Sequence, residues 1–366
     1  MTVSRKYWAL AAATALVLSA CSNDANELPS PSVETPSASA TDNGEGTGEP
    51  VEGEETGGEE ATDDTVEQGE NQSLRADQVL EAISEALDVA YEERSAENVM
   101  DRVTGPARRT IEAGFENSDR FGTEVEPIAM TDADSTWSMS TDFPRVAMVF
   151  TENPDTGSNH QLVVLSQVEG RENYKLWGYA DLVPADVEIT FAADTQSIAK
   201  DDKEGIAAPA IQVVTEYAQL LSGDETNVTF EGDSLATSLS EQQESISESL
   251  GETGTASVNA EALDHGPMTM ATEDGGAVTM GYFNYDVEID RTSAVSTITV
   301  GDELAQWLTE EEDSTYDVQG TLTSTYSVMV AFYIPPQGGG NVQVIATSSP
   351  ELIEVADDES TNPDDE

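Results

Sequence analysis

Four groups of residues have types and spacing that could do chemistry. Gly232-Asp233-Ser234-Leu235 offers a serine hydroxyl after the β-like run Val228-Thr229-Phe230. Such a hydroxyl becomes a nucleophile when a histidine takes its proton and a carboxylate orients that histidine. The chain has two histidines: His160 lies upstream of Ser234, and His265 follows it with Ala262 where a D-x-x-H block would need its aspartate. Neither completes the relay, and Asp233 and Ser234 read as capping residues at a helix start. In the second group Asp286, Glu288 and Asp290 alternate with Tyr285, Val287 and Ile289, which puts three carboxylates on one face of a strand. Calcium needs six or more oxygens, commonly from a loop, and Asn153-x-Asp155-x-Gly157 lacks the third ligand. A glycosidase pair needs two carboxyls facing each other across a cleft. The row therefore reads as a solvated face, and no metal or cofactor site is expected. In the third group Trp137, His160, Trp177 and Tyr179 are candidates to line the concave side of a sheet, although aromatic residues on strands also suit a core. Arg102, Arg108 and Arg109 flank a Gly105-Pro106 helix start where phosphate could meet free amides, but in so acidic a chain they read as partners for carboxylates.

The only cysteine, Cys21, excludes a disulfide framework and a Cys-rich zinc site. It follows Arg5, Lys6 and an apolar run from Tyr7 to Leu18, which has the length of a signal-peptide core and not of a membrane span. Leu18-Ser19-Ala20-Cys21 resembles the lipobox of bacterial lipoproteins. The resemblance implies cleavage before Cys21, lipid attachment through diacylglycerol and acyl chains such as palmitate, and a chain held on the extracytoplasmic face of the cell membrane. Two or three acyl chains, at about 0.8 kcal/mol per buried CH₂, make such an anchor stable.

These segments must be held by elements in a chain of 73 acidic and 14 basic residues, with a formal charge of −59. That charge makes nucleic acid and anionic membrane surfaces implausible direct partners at neutral pH. Residues 22–70 carry 15 acidic residues, no basic one and almost no large apolar side chain, which is the composition of a disordered linker. The end of the chain, residues 356–366, reads as an acidic disordered tail. After Lys203 the only cation is Arg291.

Between linker and tail the sequence repeats itself. Val79–Gly105 aligns without gaps on Ile206–Gly232, and Val79/Ile206, Ala86/Val213, Leu87/Val214, Ala90/Tyr217 and Val103/Phe230 recur at the spacing of an amphipathic helix face. A second helical segment follows in each half, opened by Gly105-Pro106 in one and running from Leu235 to Leu250 in the other. Strand signals come next: Arg145–Thr151, Gln161–Val168 and Tyr174–Leu182, then Val278–Arg291, Leu322–Ile334 and Asn341–Ala346, with a short helix expected at Asp302–Thr309. The pattern predicts an α+β fold: a signal peptide at 1–21, a linker at 22–70, tandem α+β domains at 71–200 and 204–355, and a tail at 356–366.

Helix, helix, then an antiparallel sheet resembles the cystatin-like and NTF2-like superfold. Arg102-Val-Thr-Gly-Pro-Ala107 and Tyr174-Lys-Leu-Trp-Gly-Tyr-Ala-Asp-Leu-Val-Pro184 resemble an uncharacterised family of actinobacterial lipoproteins. The resemblance implies a lipid-anchored envelope protein, and its motifs carry no catalytic signature. The expected function is a non-catalytic binding or assembly module of the envelope, with the membrane and an envelope protein as partners. The alternatives are an enzyme using an NTF2-like pocket or the Ser234 block, which resembles that of GDSL-type serine hydrolases, and a solute-binding lipoprotein.

Overall fold

The computed structural model describes residues 64–365 except 126, 129, 131–133, 153–159, 186, 232 and 313. Cys21 with its flanking block, residues 22–63 of the expected linker, and Asn153, Asp155 and Gly157 lie outside the described residues. The fold is α+β, dominated by one large sheet that is antiparallel except for short parallel pairings.

Helix α1 (Asp64–Glu93) begins inside the stretch expected as linker and buries Ile83, Leu87 and Ala90. Helix α2 (Gly105–Phe121) opens with proline in its first turn and closes on Gly122, whose φ of 71° lets its N–H reach the Ser118 carbonyl. Four antiparallel strands follow: β1 (Asp134–Trp137), β2 (Arg145–Glu152), β3 (His160–Gln167) and β4 (Lys175–Leu182). The second half repeats the order, with α3 (Ala210–Leu221), β5 (Phe230–Glu231) and α4 (Ser234–Leu250). Then come β6 (Gly254–Ala262), β7 (Met268–Ala271) and the long β8 (Ala277–Arg291). A small hairpin, β9 (Thr299–Val300) with β10 (Tyr316–Asp317), encloses α5 (Asp302–Thr309). The chain ends with β11 (Thr321–Ile334), β12 (Val342–Thr347) and β13 (Glu351–Asp358).

The main sheet runs β1-β2-β3-β4-β12-β11-β8-β6. The two halves therefore share one sheet, joined where Leu182 and Asp181 of β4 pair with Ala346 and Thr347 of β12. One pair of positions matched in the sequence alignment makes similar pairings. Val103 makes a parallel bridge to Leu176 of β4, and its counterpart Phe230 pairs in parallel with Val342 of β12. Each half thus brings the last of its matched apolar residues to a strand at the seam.

Helices α1 and α2 cover one face of β2–β4 through Ile83, Ile111, Phe115, Val149, Val163 and Leu165. Helices α3 and α4 cover β8, β11 and β12 through Val213, Tyr217, Leu239, Phe283 and Phe332. The opposite faces of the two halves pack on each other, with Met148, Leu162, Val164 and Trp177 meeting Met270, Met280, Met329 and Ile345. A fourth cluster, including Ile298, Leu304, Leu322 and Leu352, sits under α5.

The C-terminal stretch departs from the expected tail. Strand β13 runs to Asp358, and two 3₁₀ turns continue to Asp365. The buried guanidinium of Arg291 is the physical reason. Its Nε donates to the Ser296 carbonyl at 2.9 Å, and its terminal nitrogens donate to the Gln319 carbonyl, Asn362 Oδ1 and Asp364 Oδ2 at 3.1, 3.1 and 2.8 Å. The lone cation of the second half is spent on fastening the end of the chain.

Candidate functional site

Of the aromatic candidates, Trp137 and Trp177 do not converge. On β4, Leu176 pairs with Leu165 and Gly178 pairs with Val164, which leaves Trp177 as the extra residue of a β-bulge. Trp177 consequently joins the core between the two sheet faces, Trp137 joins the face covered by α1 and α2, and Tyr179 packs against both clusters. Strict alternation would have put Trp177 and Tyr179 on one side, and the bulge breaks that parity. Trp137 packs edge to face on Tyr174 at 4.8 Å, and its indole N–H is taken by Ser135 Oγ at 2.9 Å. Burial and the neighbouring Tyr91, Glu351 and Asp181 push the Tyr179 hydroxyl well above its ordinary pKa, so it stays neutral. His160 opens β3, paired with Glu152.

The Ser234 block is a helix start. Asp233 Oδ1 accepts from the Ala236 N–H at 2.9 Å and from the Tyr217 hydroxyl at 3.0 Å, and Ser234 stands exposed at the first turn of α4. Burial raises the pKa of Asp233 against these bonds. The carboxylate row of β8 is satisfied within the sheet. Asp286 accepts from Thr325 Oγ1 at 2.6 Å, Glu288 from Asn259 Nδ2 at 2.8 Å and Asp290 from Thr321 Oγ1 at 2.7 Å. Among the described residues no group of three or more His, Cys, Asp and Glu is placed to hold a metal. Arg108 pairs with Glu112 one turn along α2 at 3.0 Å.

The structure does bring together residues that the sequence kept apart. Trp177 Nε1 donates to the His265 carbonyl at 2.9 Å, and Gly105 at the start of α2 lies against the same indole. Burial, with the charge of Arg109 added, holds the His265 imidazole below its ordinary pKa, only partly offset by Asp264, so it is neutral at pH 7. Its Nδ1 is buried and has no hydrogen-bond partner among the described residues.

His265 borders a cleft of about 610 Å³ built from three segments. These are the turn between β1 and β2, the connection between the halves, and the turn between β6 and β7. The connection is laid down like a strand. Ser197 bridges Met270, the Met139 N–H donates to the Thr195 carbonyl at 2.8 Å, and the Ile198 N–H donates to the Thr269 carbonyl at 3.1 Å. A serine cluster locks this strap to the first half. Ser197 Oγ donates to Ser138 Oγ at 2.8 Å, and the Ser197 N–H donates to Ser140 Oγ at 2.7 Å. The floor of the cleft is apolar, with buried Val146 and Met268. Its rim carries Asp142, Lys200, Asp201, Asp202 and Asp264, beside the partly exposed ring of Phe143. The Phe143–Pro144 and Gly266–Pro267 peptides at its edge are both cis. An apolar floor with a ring of hydrogen-bonding groups is the chemistry of a binding site. No periodic signal marks the strap residues in the sequence, because a segment bonded to two turns has no repeating face.

No curated protein and no solved structure matches the chain. A family model described as a domain of unknown function, DUF8094, matches residues 144–350. That range contains β2 through β12, the seam between the halves, the strap and the His265 turn, and on this match the chain belongs to the DUF8094 family.

Proposed function

We propose that this chain is a lipid-anchored, extracytoplasmic lipoprotein that serves the bacterial cell envelope as a non-catalytic binding or assembly module. The anchor rests on Leu18-Ser19-Ala20-Cys21 at the end of the apolar run, and the acidic segment after it serves as the spacer from the membrane. One observation carries the binding role: three segments from both halves meet in a cleft with an apolar floor and a polar rim that includes four aspartates. Such a rim fits a cationic or hydroxyl-rich ligand.

The halves themselves are read as two tandem NTF2/cystatin-like units joined edge to edge. The matched pairings of Val103 and Phe230 and the equal lengths of α2 and α4, 17 residues each, support that reading. An experimental structure in which residues of the two halves superpose at the sequence offset of the repeat tests it; superposition at no common register refutes it.

Fractionation of cells expressing wild type and Cys21→Ala tests the anchor. Wild type should partition with membranes and the variant should be released; equal release of both rejects it. For the cleft, a ligand that binds only the folded state must raise its melting temperature by mass action. A thermal-shift screen of polyamines, basic peptides and sugars should find such a ligand, and Phe143→Ala should abolish the shift. A shift that survives Phe143→Ala removes the cleft from the proposal.

A further inference from the structure

On the other side of the Ser138–Thr141 segment lies a second recess of about 650 Å³, bordered by Arg75, Val79, Trp137, Arg145 and Tyr174. Its described lining contains no Asp or Glu, in a chain that has 73 of them. The cleft near His265 and the recesses beside Glu351 each include carboxylates. Three arginines meet acids, Arg94 with Asp119 at 2.7 Å, Arg108 with Glu112 at 3.0 Å and Arg291 with Asp364 at 2.8 Å, whereas Arg102, Arg109, Arg120 and Arg171 show no ion pair among the described residues. Arg75 and Arg145 make no ion pair among the described residues.

Arg145 is also held ready. Its Nε donates to the Ser140 carbonyl at 2.9 Å, and its guanidinium lies over the Phe143 ring at 4.8 Å. These contacts fix the plane of the fork and leave its terminal amino groups without a hydrogen-bond partner among the described residues. Trp137 and Tyr174 form the wall beside it. With its N–H spent on Ser135, Trp137 offers the recess only apolar surface.

We propose that this recess binds a phosphate monoester carried on an apolar or aromatic body, with Arg75 and Arg145 on the phosphate and Trp137 and Tyr174 against the body. Two guanidiniums balance the charge of a phosphate dianion, and the planar fork of Arg145 matches two of its oxygens at once. The volume is in the range of small-molecule sites, about 300–1,000 Å³. The net charge of −59 repels anions at a distance, so attraction must come from these two side chains at close range. The site stands independently of the ligand proposed for the cleft.

Calorimetric titration of the full chain with phenyl phosphate and with inorganic phosphate tests the proposal. Phenyl phosphate should bind wild type, and Arg75→Gln and Arg145→Gln should each weaken it by ~10-fold or more. Trp137→Leu should weaken phenyl phosphate and leave inorganic phosphate unchanged. Arg75 is exposed on α1, so Arg75→Gln keeps the wild-type melting temperature and separates loss of the site from loss of the fold; Arg145→Lys does the same for Arg145. If wild type fails to bind phenyl phosphate, or both glutamine variants bind it as tightly as wild type, the proposal is overturned. Sedimentation of the Cys21→Ala chain with phosphatidylcholine vesicles containing phosphatidic acid identifies the source. Co-sedimentation that Arg75→Gln abolishes assigns the phosphate to a lipid headgroup, and binding of phenyl phosphate without co-sedimentation assigns it to a soluble ester.

Discussion

Arg291 and Glu351 illustrate what one charged side chain does in a chain so short of cations. Arg291 is 8% exposed and bonds three separate parts of the second half. Removing it strands the Ser296 and Gln319 carbonyls and frees the last residues of the chain. Arg291→Ala should cost about 2 kcal/mol, because the acceptors it leaves are partly reached by water. Limited proteolysis should then cut the segment after Asp358 in the variant before wild type; equal cleavage of both would show that β13 alone holds the end. Glu351 presents the opposite problem. It accepts from Asn117 Nδ2 at 2.9 Å, yet burial and the nearby Glu303 raise its pKa, and Asn117 offsets only part of that rise. A carboxyl whose pKa is higher in the folded than in the unfolded chain favours folding while protonated. Its contribution is full below the ordinary carboxylate range and is lost as pH rises through the raised value. Glu351→Gln keeps an acceptor for Asn117 and removes the charge. Its melting temperature should match wild type near pH ~4 and exceed it increasingly toward neutrality. A constant offset across that range would mean that the charge of Glu351 is not what strains the site.

Single elements explain both what was legible in the sequence and what was not. The helices and the six main strands follow from period: Val213, Val214 and Tyr217 recur as one buried helix face, and Val163 and Leu165 alternate with Leu162 and Val164 across a sheet buried on both sides. The alternation of β8 follows from the same period, but Asp286, Glu288 and Asp290 are half-buried and bonded to neighbouring strands where the sequence reading expected a solvated face. Strands β6 and β13 are among those that escaped the same test. Strand β6 lies at an edge with only Gly254 and Val258 fully buried, and β13 buries only Leu352 and Val355 among four acids. The candidate pocket failed for a different reason. The bulge at Trp177 changes the parity of β4; Gly178 within the strand signals a bulge or a close approach, but not which neighbour is the extra residue. Gly178 has its own consequence there. A Cβ at this position would stand 2.9 Å from the Met280 sulfur and 3.1 Å from that of Met329, so its lack of a side chain lets β4 approach β8 and β11. Gly178→Val should destabilise by about 1–3 kcal/mol through overpacking. Pairing it with Met280→Ala should recover part of that loss in chemical denaturation; strictly additive losses would place the strain elsewhere.

At the scale of the whole molecule, the two halves of the chain share a core and cannot be separated cleanly. The ladder between them is short, with two residue pairs between β4 and β12 and one further bond from the Val183 N–H to the Ile345 carbonyl at 2.9 Å. A hinge at such a seam would be expected if each half closed its own core. Instead, the faces turned away from the helices meet, and Met148, Leu162 and Val164 of one half are buried against Met270, Met280 and Met329 of the other. The contact is reinforced at the far end of α2, where the Arg120 guanidinium lies 4.1 Å over the Trp307 ring and Asn117 donates to the Leu352 carbonyl at 3.0 Å. Exposing either face alone would return a continuous apolar surface to water, at about 25 cal/mol per Å². That cost couples the halves more strongly than the seam does, and it holds the cleft and the arginine recess in register, since both border Ser140 and Thr141. Calorimetry of the chain should therefore give one unfolding transition with equal van't Hoff and calorimetric enthalpies. Met280→Ala, which thins the shared core, should lower that single transition without splitting it. Two resolved transitions in wild type would mean that each half is stable without the other, and that the cleft between them opens as the halves part.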